Sequence, residues 1–179
     1  MTVPESALLV PVPTVEASVE SLRKKLDPSS GYGMPAHITV LYPFAPLASI
    51  SSSFADRLAG VLEGFEPFEF ALSDVGWFDQ RVMYLAPSPR APFVELTLGI
   101  SNAFPDYPPY GGTFDEVVPH LTVGEGAWPT RMRLASRRLE RHLPIRATAR
   151  EVCLMAPDEF GHWSVHQRFP LGRTQPSDK

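Results

Sequence analysis

Cysteine is nearly missing: one residue, Cys153, stands among 179. A lone cysteine excludes a disulfide framework within the chain and suits a reducing compartment. Basic excess is missing too. The formal net charge is -4, so an extended nucleic-acid track, which has to neutralise many phosphates, is not expected. No apolar run approaches the ~18 residues of a membrane span. The first residues, Met1-Thr-Val-Pro-Glu-Ser6, carry no basic stretch, so the chain is expected to be cytoplasmic and unattached to a membrane. A phosphate-cradling glycine loop is absent as well. Gly31-Tyr-Gly33 is too short for either common pattern and precedes a strand instead of a helix. The five histidines form neither H-E-x-x-H nor a Cys/His cluster, so the pattern offers no metal site.

Proline, by contrast, is abundant: 20 residues spread along the chain, which implies many stiff loops and not one disordered tract. With 44% hydrophobic and 20% charged residues, the composition is that of a globular domain able to bury a sizeable core. Residues 174–179 read as a loose tail.

Periodicity supplies the elements. Ala7–Val10 reads as a buried strand, and Thr14 as the cap of a helix presenting Val15, Val19, Leu22 and Leu26. A loop over 27–36 leads to the strand His37–Leu41. A helix starting near Ser51–Ser53 buries Phe54, Leu58, Val61, Leu62 and Phe65. Glu69–Phe78 and Arg81–Ala86 form a strand pair around Asp79-Gln80. A helix over Pro92–Phe104 turns Phe93, Leu96, Ile100 and Phe104 inward. The pattern then restarts. A Tyr/Gly/Pro loop over 106–119 delivers the strand His120–Val123, the helix Thr130–Leu143 follows, and strands near Arg146–Ala156 and His162–Phe169 close the chain. The histidines that open the two short strands lie 120 − 37 = 83 residues apart, close to half the length, which points to internal duplication. The expected fold is α+β: one domain over 1–179, built of two similar lobes with antiparallel or mixed sheets flanked by helices. One lobe contains residues 37–40, the other 120–123.

Both short strands carry His-x-Thr. Side chains two apart in a strand share a face. His37 and Thr39 therefore point one way and Ile38 and Val40 the other; His120 and Thr122 repeat this against Leu121 and Val123. If the lobes face each other, two imidazoles and two hydroxyls meet in one groove. That set suits displacement at phosphorus. A neutral imidazole takes a proton from the attacking oxygen, a protonated one gives a proton to the leaving oxygen, and the hydroxyls donate to the non-bridging oxygens. Histidine holds both protonation states near neutrality. The scheme needs no cofactor and no metal. One His-x-Thr by itself is an ordinary strand feature; two copies in matching contexts are not.

His37-Ile-Thr-Val40 and His120-Leu-Thr-Val123 resemble the paired signatures of the 2H phosphoesterase superfamily, which includes bacterial 2′-5′ RNA ligases and RNA cyclic phosphodiesterases. The likeness runs from Ala7 to about Leu171. It implies a bilobal, pseudo-two-fold α+β fold with a central cleft. His37 and His120 would then be the catalytic pair, and Thr39 and Thr122 the phosphate ligands. It further implies hydrolysis of 2′,3′-cyclic phosphates on RNA ends or nucleotides, 2′-5′ ligation, or attack on another cyclic nucleotide. The partner is then a small nucleotide or an RNA terminus, with the protein acting as a monomer. A binding module that has lost turnover is the reading of another class; a metallohydrolase is a third.

Tyr32 and Tyr110, in the loops before the two motifs, are candidate substrate contacts by stacking on a base, against the simpler reading that each packs its own loop. Arg131, Arg133, Arg137, Arg138 and Arg141 crowd one helix; guiding an RNA end is the functional reading, against the default of a solvated face. Cys153, in an apolar strand, is expected to be buried.

Overall fold

The computed structural model describes residues 5–113, 116–126 and 128–173; the tail over 174–179 lies outside them. Among the described residues, eight strands form two four-stranded sheets. The first has the order β2-β1-β7-β8, from β1 (Ser6–Pro11), β2 (His37–Phe44), β7 (Glu151–Pro157) and β8 (Trp163–Pro170). The second has the order β5-β4-β3-β6, from β3 (Phe68–Phe78), β4 (Val82–Ser88), β5 (Leu121–Glu125) and β6 (Ile145–Ala149). Every ladder is antiparallel, which decides between the antiparallel and mixed alternatives. The fold is α+β and bilobal, with a pseudo-two-fold arrangement.

The helices are α1 (Glu16–Leu26), a single turn α2 (Pro28–Gly31), α3 (Ser52–Leu62), α4 (Ala91–Ala103) and α5 (Pro129–Glu140). Each buries the stripe its sequence offers: Val19 and Leu26 on α1, Leu58 and Leu62 on α3, Phe93, Leu96 and Ile100 on α4, and Met132, Ala135 and Leu139 on α5. Ser51 caps α3 by accepting the Phe54 N–H at 3.2 Å, the side-chain to N3 bond expected of a serine N-cap.

Chain order and sheet order interlace. In each sheet the strand carrying a motif lies at the edge, beside the strand that precedes it, and each connection carries one long helix: α1 between β1 and β2, α4 between β4 and β5. That helix crosses over. α1 packs against β5 of the other sheet, and α4 packs against β2. Each half of the chain thus contributes to both sheets, and the two sheets hold one another in place through a shared apolar core.

Two sequence expectations are corrected. Thr14 does not cap a helix: Pro13 starts a 3-10 turn over Pro13–Val15, Thr14 lies exposed within it, and α1 begins behind Val15 with no side-chain cap. The single strand expected near Arg146–Ala156 is two strands, β6 and β7. The chain breaks at Arg150, whose carbonyl accepts the Leu171 N–H at 2.8 Å, and it passes from the second sheet to the first. The hairpin at Asp79-Gln80 is as expected. Both residues have positive φ, 47° and 55°, and the Arg81 N–H closes the turn on the Phe78 carbonyl at 2.9 Å.

Among the described residues no helix is long and apolar enough to cross a membrane.

Candidate active site

The two motif strands meet at the junction of the sheets, where β2 and β5 run close to each other. On β2, Ile38 and Val40 are buried while His37 and Thr39 are half-buried; on β5, Leu121 and Val123 are buried and Thr122 half-buried, and His120, which the sequence placed in the strand, is half-buried immediately before it. The alternation read from the sequence is therefore present in both strands, and the polar members face away from the core.

Both motifs end in the same irregularity. Leu9 pairs with Thr39 but Leu8 with Leu41, so Val40 is an extra residue in β2. Tyr84 pairs with Thr122 but Met83 with Gly124, so Val123 is an extra residue in β5. A β-bulge one residue past each threonine breaks the alternation and leaves two successive residues buried, Val40 with Leu41 and Val123 with Gly124. At Gly124 a Cβ would lie 3.0 Å from the Leu26 Cβ, so glycine here permits the close approach of α1.

The histidine rings are held alike. His37 Nδ1 lies 2.7 Å from the Pro35 carbonyl oxygen, and His120 Nδ1 lies 2.7 Å from that of Val118. A carbonyl can only accept, so each neutral ring carries its proton on Nδ1 and leaves Nε2 with a lone pair. Burial disfavours the charged form of both rings and moves both pKa values below the usual histidine value; the carbonyl bonds partly oppose this. For His37 the charges of Arg23 and His120 push further down and that of Asp27 pushes back up.

Their surroundings differ. His120 meets the Phe78 ring edge-on at 5.0 Å and the Tyr84 ring at 5.4 Å, and Phe78 stacks on Tyr84 at 4.4 Å. Tyr84 lies flat over Gly76, where a Cβ would come within 2.3 Å of the tyrosine ring. Phe78 and Tyr84 were not singled out by the sequence. Only the hairpin register, which sets Tyr84 opposite both Thr122 and Gly76, reveals them.

The other candidates scatter. Tyr32 is 51% exposed and meets His162 edge-on at 6.1 Å, while its carbonyl accepts the Trp163 N–H at 2.7 Å. Tyr110 is half-buried in a turn that packs against β2, with φ 53°, and burial raises its pKa. The arginines of α5 are solvent-exposed. Cys153 is buried, its pKa pushed up to about 11 first by burial, which leaves it a poor nucleophile. Among the described residues no group of three or more His, Cys, Asp or Glu could hold a metal ion.

This geometry has counterparts. The sequence model of the 2′-5′ RNA ligase superfamily matches residues 11–159. A protein of Bacillus cereus (strain G9842) named "Putative phosphoesterase" is 26% identical over 176 residues, covering 93% of this chain and 95% of that protein. A Bacillus anthracis protein of the same name is 26% identical over 177 residues, with the same coverage. Among solved structures, Escherichia coli LigT complexed with 3′-AMP has a TM-score of 0.55 at 17% identity, covering 96% of this chain and all of that one. TT0787 of Thermus thermophilus reaches 0.61 at 16% identity, over 95% of this chain and all of that one. These two structures speak for the fold. The family match spans most of the chain and includes both His-x-Thr strands, and the chain belongs to the 2′-5′ RNA ligase superfamily, the 2H phosphoesterases.

Proposed function

We propose that the protein is a metal-independent phosphodiesterase that opens 2′,3′-cyclic phosphates on nucleotides or RNA ends, with His37 and His120 as acid and base and Thr39 and Thr122 as phosphate ligands. One observation carries the reading: at the place where β2 and β5 come together, two imidazoles are each tied at Nδ1 to a carbonyl two residues upstream, with Nε2 unoccupied by that bond. A neutral Nε2 takes the proton of a water attacking phosphorus. The other ring, protonated at Nε2, gives its proton to the departing ribose oxygen, and one P–O bond replaces another. The threonine hydroxyls donate to the non-bridging oxygens, where charge accumulates.

The family also includes 2′-5′ ligation, and the same site would serve it if a 5′-hydroxyl replaced water. A net charge of -4 favours a short substrate over a long nucleic acid. A cytoplasmic monomer acting on a small nucleotide or an RNA terminus fits this reading.

The test is a panel of 2′,3′-cyclic nucleotides and short RNAs with cyclic-phosphate ends, assayed after exhaustive EDTA treatment. The expected result is turnover to one monoester isomer, unaffected by the chelator. No turnover of any member, or activity restored only by a particular metal, would overturn the proposal.

A further inference from the structure

We propose that the buried Arg23–Asp27 ion pair is a positioning device for His37, clamping the 27–36 loop so that the Pro35 carbonyl selects the Nδ1–H form of the ring. Its catalytic consequence rests on the function proposed above; its structural consequence does not.

Arg23 is 2% exposed and Asp27 4%. Arg23 Nε and Nη2 donate to Asp27 Oδ2 at 3.0 and 2.9 Å, and Nη2 also donates to the Met34 carbonyl at 3.1 Å. Asp27 Oδ1 accepts from the Ser29 N–H at 3.0 Å and the Ser29 hydroxyl at 2.7 Å. Arg23 Nη1 stands 4.0 Å from Glu16 Oε1, which accepts the Ala36 N–H at 2.6 Å. The Ala36 carbonyl in turn accepts the Val12 N–H at 2.8 Å. The loop is therefore gripped at Asp27, Ser29, Met34 and Ala36. Pro35 lies between the last two grips, and it supplies the oxygen that holds His37.

Stability alone is a weak reason for such a pair. Removing two charges from water costs several kcal/mol before they attract, and a well-packed apolar pair often does as well. What the pair supplies is geometry. A guanidinium fork reaches a carboxylate and a backbone carbonyl at once in fixed directions. The second motif lacks a buried counterpart among the described residues: the ion pair near it, Arg90 with Glu116 at 3.5 Å, is exposed. The charges that reach His37 come from α1 (Arg23), the residue after it (Asp27) and the second motif (His120).

Imidazole ¹⁵N–¹H correlation spectra, recorded well above the histidine titration, read the tautomers directly, with His120 as an internal control. In the native protein both rings are expected in the Nδ1–H form. Arg23→Lys keeps the charge but loses the fork. It is expected to shift His37 to a tautomer mixture, leave His120 unchanged and lower kcat on a 2′,3′-cyclic nucleotide about 10- to 100-fold with little change in KM. Glu16→Ala frees the Ala36 N–H at a less buried position and is expected to act the same way more weakly; it carries the test if Arg23→Lys does not fold. Native His37 spectra in the folded variants, or equal disturbance of both rings, would overturn the proposal. The spectra stand even if no cyclic phosphate is turned over.

Discussion

Alanine at either His37 or His120 is expected to reduce kcat on a 2′,3′-cyclic phosphate by about 10²–10⁴-fold, the usual worth of one general acid or base. The double variant should lose little more than either single one, because a proton taken on one side is useful only if one is given on the other. The fold should survive, since both rings are half-buried at the front of their sheets and the core lies behind them in Ile38, Val40, Leu121 and Val123. The two sites are not equal in this respect. Removing His120 also strips a contact from Phe78 and Tyr84, which is worth about 0.5–1.5 kcal/mol. His120→Gln keeps that space filled and separates lost chemistry from lost packing. Steady-state kinetics beside thermal unfolding decides the matter. A folded single variant with most of its kcat would remove that histidine from the mechanism.

The second large effect falls on the hydroxyls. Thr39→Val and Thr122→Val should each lower kcat by about 10²–10³-fold, the cost of losing one donor to a charge that develops at the transition state. Valine has the shape of threonine and suits a strand, so neither the bulge that follows nor the buried residues behind should move. Because the bonds strengthen as charge builds on phosphorus, the loss should appear in kcat more than in KM. Folded valine variants with native kcat would assign the threonines to strand packing.

Much of this site was legible in the chain because it depends on short-range periodicity. The two-residue repeat of a strand puts His37 with Thr39 and His120 with Thr122, and the helical repeat finds Val19, Leu58, Leu96 and Leu139 in the core. What escaped depends on register and on contacts between distant segments. The bulges at Val40 and Val123 are slips against β1 and β4, and neither strand's composition announces one. Phe78 and Tyr84 reach His120 only because the hairpin sets Tyr84 opposite Thr122. Arg23 sits four residues before Asp27, a spacing common on exposed helices; its burial follows from how the 27–36 loop folds back over α1. The break at Arg150 likewise separates two apolar stretches that read as one strand until their partners, β3 and β1, are known.

The central claim, that one neutral and one protonated histidine work together, is tested most directly by the pH dependence of kcat/KM on a 2′,3′-cyclic nucleotide. Burial lowers the pKa of both rings in the free protein, so above the usual histidine value of about 6.5 both are neutral and the acid is missing. At sufficiently low pH both are charged and the base is missing. The pair should therefore give a bell whose limbs belong to the two rings jointly, with its maximum on the acid side of about 6.5. In kcat the alkaline limb should move to higher pH, because the bound phosphate's negative charge favours the protonated acid. A kcat/KM that stays flat from about pH 5 to 9, with chemistry shown to limit the rate, would contradict two-histidine catalysis.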